Sequence, residues 1–121
     1  MNPYAVMERV PGGKKFDFFL IHAYLEGFTM KNNDVKIWSK PVGATDDKWV
    51  HVGSVHWPLQ YHSKVQNQLI FEKIGTFLVQ EDFADIKVEI CSNSGDWKMR
   101  WMFEGFSIRP TTEEEEEEEE R

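Results

Sequence analysis

Residues 85–91 read DIKVEIC, and the order of apolar and polar side chains in these seven positions decides the fold class. Ile86, Val88 and Ile90 alternate with Lys87 and Glu89, a period of two that puts one set on each face of an extended strand. One apolar and one charged face make a half-buried strand, the habit of antiparallel sheets. The following Ser92-Asn93-Ser94-Gly95-Asp96 consists of residue types that tolerate tight and left-handed turns, so a hairpin into the next strand is expected. That strand, Trp97 to Ile108, alternates again, with Trp97, Met99, Trp101 and Phe103 on one side to close a core. Gly105 allows a bend or bulge before Phe106 and Ile108.

The rest of the chain follows the same habit of short apolar stretches between turn residues. Val35-Lys36-Ile37-Trp38-Ser39 is a strand after the polar turn Lys31-Asn32-Asn33-Asp34, and Lys48 to Trp57 is another, with Val50 and Val52 alternating with Trp49 and His51. Between them, Pro41 and Gly43 open a loop closed by Asp46-Asp47. Gln68 to Val79 supplies a further apolar segment with Gly75 as a bulge or corner, and Pro58 to Asn67 reads as a long loop. Pro11-Gly12-Gly13 is a break. After it, Phe16 to Phe28 is apolar on both alternating faces, which fits a strand buried on two sides or crossing a bend; a helix is the competing reading. Six or seven such strands predict an all-β, antiparallel β-sandwich of the jelly-roll kind.

The 121 residues suffice for one domain without disulfides or metals. Net charge divides the chain sharply. Residues 1–112 carry 13 acidic and 13 basic side chains, so the whole −7 resides in eight glutamates and Arg121. Pro110 removes a backbone donor and is expected to stop strand pairing. The expected organisation is a binding domain over residues 1–110 and a disordered poly-Glu tail over 111–121, because eight like charges oppose a helix and bury nothing.

A neutral body with an acidic tail offers no basic stripe for nucleic acid. The single cysteine excludes an internal disulfide and favours an intracellular location, cytoplasmic or nuclear, and no apolar run has signal-peptide or membrane-span length. The histidines, His22, His51, His56 and His62, fall in no HExxH pattern, and no Gly-rich phosphate loop is present. His51 and His56, five apart, face opposite sides of a regular strand and share a metal only across a bulge. Cys91 has no His partner by spacing, and a small buried or half-buried thiol is its ordinary reading. No catalysis and no cofactor are expected. Asp46 and Asp47, with Asp85, are weak calcium candidates, since that ion takes several oxygens, although paired loop aspartates are common turn formers. The aromatic stretch Trp57-Pro58-Leu59-Gln60-Tyr61-His62 either fills the core or anchors a ligand, with Trp57, Tyr61, His62, Asn93 and Trp97 as the candidate binding residues.

The stretches NDVKIWSK, TDDKWVHVGSV, FADIKVEICSN and FEGFSI, over about residues 34–108, resemble the discoidin-like or galactose-binding-like jelly roll of coagulation factor 5/8 type C domains. In that family a strand ending in a hydroxyl-bearing turn leads to an acidic turn and a Trp, matched here by Ser39, Asp46-Asp47 and Trp49. Ala84 to Ile90 corresponds to a later strand and Phe103 to Ile108 to the closing one. The framing cysteines of extracellular members and an opening Gly-rich acidic-Trp signature are absent. The resemblance implies a recognition module whose ligand is read by loops at one end of the sandwich.

Three functions follow as expectations. The first is a non-catalytic module for a protein or peptide partner. The second is a histone or basic-protein chaperone acting through Glu113, Glu114, Glu115, Glu116, Glu117, Glu118, Glu119 and Glu120, an organisation similar to that of nucleoplasmin. The third is a carbohydrate-binding module using Trp57, Tyr61 and Trp97 on a glycan.

Overall fold

The computed structural model describes residues 2–24, 29–30, 33–56, 59–60, 68–92 and 101–112. Among the described residues nine strands are formed: β1 (Tyr4–Pro11), β2 (Lys14–Tyr24), β3 (Thr29–Met30), β4 (Asn33–Pro41), β5 (Val50–His56), β6 (Leu59–Gln60), β7 (Leu69–Val79), β8 (Phe83–Ser92) and β9 (Trp101–Pro110). Seven of them build an antiparallel sandwich, one sheet ordered β1-β8-β4-β5 and the other β7-β2-β9, while β3 and β6 form a two-stranded ribbon.

The motif that decided the class behaves as its period requires. Ala84, Ile86, Val88 and Ile90 of β8 are buried in the core with Val35 and Ile37 of β4, and Phe16, Phe18 and Leu20 of β2 cover them from the opposite sheet. Phe18 meets the Phe77 ring edge-on at 5.7 Å and lies nearly parallel to Phe106 at 6.3 Å, so the centre of the core is aromatic. The Phe16–Phe28 segment is a strand from Lys14 to Tyr24, central in its sheet, and the helical alternative is excluded for that span. Gly75 and Gly105 sit at the bulges foreseen for them, where the register of β2 against β7 shifts after Phe18 and against β9 after Ile21. Gly105 has φ of 142°.

Four sequence expectations are corrected. β8 and β9 do not form a hairpin: β8 lies between β1 and β4, and β9 pairs with β2 in the other sheet. Alternation in consecutive segments reports two half-buried strands, but it does not report which strand each one pairs with. Asn33 and Asp34 belong to β4, opposite Ser92 and Cys91, rather than to a turn. β5 starts at Val50, because Asp46–Lys48 is a single 3-10 turn. β9 ends at Pro110 as expected, though not for want of a donor: Pro110 stands opposite Phe16, the last pair of the register, and the amide of Thr111 donates to the Lys15 carbonyl at 3.0 Å. That arrangement makes Pro110 part of a non-hydrogen-bonded pair on an edge strand, where its missing N–H costs nothing.

The fourth correction is β1, which the sequence reading left out. Its alternation is broken by a bulge in which Glu8 and Arg9 together oppose Asp85, with Arg9 at φ 56°. A non-glycine residue in this conformation needs compensation. Asp85 supplies it by accepting the Arg9 amide at 3.1 Å.

At the β1–β2 turn, Gly12 donates to the Asp82 carbonyl at 2.8 Å and Gly13, at φ 75°, to that of Val79 at 2.7 Å. A Cβ on Gly12 would lie 2.0 Å from the Glu81 carbonyl oxygen, so two crossover connections touch backbone to backbone here. Gly12→Ala is expected to lower unfolding free energy by roughly 1–3 kcal/mol, read as a reduced urea midpoint. A wild-type midpoint in that variant would show that the two connections separate freely.

Candidate functional site

Strand direction divides the sandwich into two unlike ends. One end holds Pro11, Lys14, Pro41, Val50, Val79, Phe83 and Pro110, joined by the tight Gly12-Gly13 turn, by residues 80–82 and by the turn-containing connection 42–49. The other end holds Tyr24, Asn33, His56, Leu69, Ser92 and Trp101, from which the three long connections 25–32, 57–68 and 93–100 leave. Trp57, Tyr61, His62, Asn93 and Trp97 belong to these connections and lie outside the described residues, as do Glu113 to Glu120. Leu69 and Phe71, at this same end, are 56% and 64% exposed on the outer face of the three-stranded sheet. The acidic run follows Thr112 and so starts at the opposite end. Ten-residue strands put roughly 30 Å between the two.

A second feature was not foreseen. The outer face of the four-stranded sheet carries an aromatic and basic cluster, assembled because register aligns Val6, Lys87, Trp38 and His51 in one row and Tyr4, Glu89, Lys36 and Ser54 in the next. The Lys87 ammonium lies 4.6 Å from the Trp49 ring centre, 5.5 Å from that of Trp38 and 5.9 Å from that of Tyr4. Three electron-rich faces around one ammonium hold it by cation–π attraction. Trp38 donates its indole N–H to Glu89 at 3.3 Å, and its ring lies 5.1 Å from that of His51. Asn2, Tyr4, Val6, Asp46, Trp49, Lys87 and Glu89 line a hollow of about 360 Å³, in which Tyr4 is 57% exposed. The signal in the sequence was Trp38 on the polar face of β4 and Trp49 after its loop, but without the partner strands those rings could not be placed together.

The carboxylates considered for calcium separate. Asp46 lines the hollow, whereas Asp47 accepts the Thr45 hydroxyl and lies 3.8 Å from the Lys48 ammonium. Asp85 is buried and pairs with Lys40 at 2.9 Å, the same ammonium donating to the Ala44 carbonyl at 2.8 Å. Its hydrogen bond to Lys40 holds the Asp85 carboxyl below the usual carboxylate range; desolvation opposes this and the Arg9 amide adds to it. Among the described residues no three His, Cys, Asp or Glu side chains are grouped to hold a metal.

The facing assigned to His51 and His56 is corrected. Val52 is the extra residue of a bulge opposite the Ile37–Trp38 step, which returns both histidines to the outer face, opposite Trp38 and Asp34. They remain four β4 residues apart, about 13 Å. His56 instead contacts Asp34 at 3.2 Å. His22 is buried on the inner face of β2, with Nε2 3.5 Å from the Glu72 carboxylate. Cys91 is buried beside Asn2, whose amide donates to Sγ at 3.5 Å; burial first, and then the Glu89 carboxylate, push its thiol up. A thiol shifted this way stays protonated at neutral pH.

These features define an all-β two-sheet sandwich with a long-loop end and an aromatic outer face. No family model matches the chain, and neither the curated proteins nor the solved structures contain a significant match to it.

Proposed function

We propose that the chain is a non-catalytic, intracellular recognition module for a protein or peptide partner, read by the segments at the long-connection end. The observation that carries this reading is the convergence of connections 25–32, 57–68 and 93–100 on one end, beside the exposed Leu69 and Phe71. Exposed apolar side chains next to long connections are the usual make-up of a docking surface. The discoidin-like, jelly-roll reading is supported by the strand orders, which are those of an eight-stranded double Greek key lacking its first strand.

The test separates loops from tail. Replacing Trp57 and Tyr61 together by Ala should abolish partner capture in a pull-down while leaving the urea midpoint nearly unchanged, because anchor residues carry about 2 kcal/mol or more of binding energy each. Removal of residues 113–121 should leave capture intact. Retained capture in the loop variant, together with salt-sensitive capture lost with the glutamates, would transfer the function to the tail and to basic partners.

The outer-face hollow favours a second reading, a carbohydrate-binding module. A sugar face stacks on an exposed ring while its hydroxyls meet polar groups, and Tyr4 and Trp49 stand beside Asn2, Asp46 and Glu89. On this reading Tyr4→Ala and Trp49→Ala remove glycan-array signal and the Trp57/Tyr61 variant keeps it. An array with no signal for the wild-type chain would sink it.

A further inference from the structure

We propose that the free edge of β1 docks an extended peptide of a partner protein, one with an acidic residue between apolar ones, and that Arg9 reads the acid. The inference is independent of the recognition reading at the long-connection end.

Register fixes which groups of β1 face outward. Ile90 donates its amide to the Pro3 carbonyl at 2.9 Å and Tyr4 stands opposite Glu89, so Ala5 and Met7 are the residues that exchange hydrogen bonds with β8. Tyr4, Val6 and Glu8 point their amides and carbonyls the other way, and among the described residues no strand pairs with that side of β1. The complement of such a row is the main chain of another strand.

The space beside this edge is apolar. β9 is an end strand of the facing sheet, and Met7, Val10, Ile108 and Pro110 wall a hollow of about 360 Å³ between it and β1. Side chains of an added strand alternate in direction, so every second one enters this hollow. A second hollow, of about 400 Å³, lies beside Val42 and Phe83, and Phe83 is 59% exposed.

Arg9 borders both hollows, and the other charged groups at the first are Lys14 and Glu8, which leaves the rim positive. Arg9 is also the residue held at φ 56°, with its amide on Asp85. Among the described residues no carboxylate pairs with its guanidinium. Strain of this kind persists where the surrounding structure fixes it, and it gathers at binding sites. A guanidinium free to form a two-point bond, set between apolar hollows, selects a carboxylate with apolar neighbours.

The experiment follows the fluorescence anisotropy of a labelled peptide that alternates valine with threonine and has one central glutamate, titrated with the full chain. Saturable binding is expected. Arg9→Gly removes the guanidinium and relieves the positive φ, so it should weaken binding about tenfold with a urea midpoint at or above that of wild type. Glutamine for the peptide's glutamate should weaken binding to wild type about tenfold and leave binding to Arg9→Gly unchanged, since both changes remove one interaction. Phe83→Ala should weaken binding, and N-methylation of one alternate set of peptide amides should abolish it while the other set is tolerated. Absence of binding, or equal loss with the glutamine peptide in both chains, would overturn the proposal. Binding lost instead in the Trp57/Tyr61 double variant would overturn it by moving the peptide to the long-connection end. Binding seen only after removal of residues 113–121 would assign the edge to the chain's own acidic run, and a dimer in sedimentation that Arg9→Gly dissolves would assign it to a second copy; either overturns the partner.

Discussion

Val88→Asp is expected to yield a chain without a cooperative unfolding transition. Val88 is wholly buried at the centre of β8, opposite Ala5 of β1 and Ile37 of β4, and its side chain points into the core shared with β2. Among the described residues no buried Lys or Arg stands on that face to pair with a new carboxylate. Burying it unpaired costs several kcal/mol against a total stability of about 5–15 kcal/mol. Val50→Asp is the matched control, because Val50 is 57% exposed and the change should fall within about 0.5 kcal/mol of wild type. Circular dichroism with a urea titration distinguishes the two. A native transition for Val88→Asp would refute the facing of β8.

Asp85→Ala is expected to cost about 3 kcal/mol, the lower part of the range for breaking a buried ion pair, because Lys40 keeps its bond to Ala44. Two losses combine: Lys40 remains as a nearly buried ammonium without its carboxylate, and the strained Arg9 amide loses its acceptor. The pH dependence has a definite sign. The folded pKa of Asp85 is depressed, so its contribution is fully present above the ordinary aspartate value of about 3.9 and is lost as pH falls through the lower folded value. Wild-type stability should therefore decline on acidification below about pH 4 more steeply than that of Asp85→Asn, which has no proton to gain at this position. Parallel acid-denaturation curves for the two proteins would remove the pair from the account of acid stability.

The two phenotypes share an origin in one strand with two unlike faces. The inner face of β8 makes the sandwich, while its outer face provides Asp85 for the β1 bulge, Lys87 for the aromatic cluster and Cys91 as a protonated thiol. An outer-face substitution at Lys87 is thus a test of the cluster rather than of the core.

Period-two alternation in 85–91, 35–39 and 103–108, with glycines at 75 and 105, was enough to determine that this protein is an antiparallel β-sandwich, because alternation reflects a local geometry in which every second side chain must leave water. Pairing is not local. Which sheet takes β9, whether it pairs with β8, and the existence of β1 depend on contacts between positions as distant as Tyr4 and Glu89. Bulges hid the rest: one extra residue at Arg9 erased the pattern of β1, and one at Val52 reversed the facing of His51 relative to His56. The aromatic cluster was invisible for the same reason, since Tyr4, Trp38, Trp49 and Lys87 come from three strands and a loop and meet only when the register of the four-stranded sheet is set. Charge along the chain placed the acidic run after the body; only the tertiary structure decided that this run starts at the end of the sandwich opposite the long connections, because each strand's direction is dictated by the partners it hydrogen-bonds.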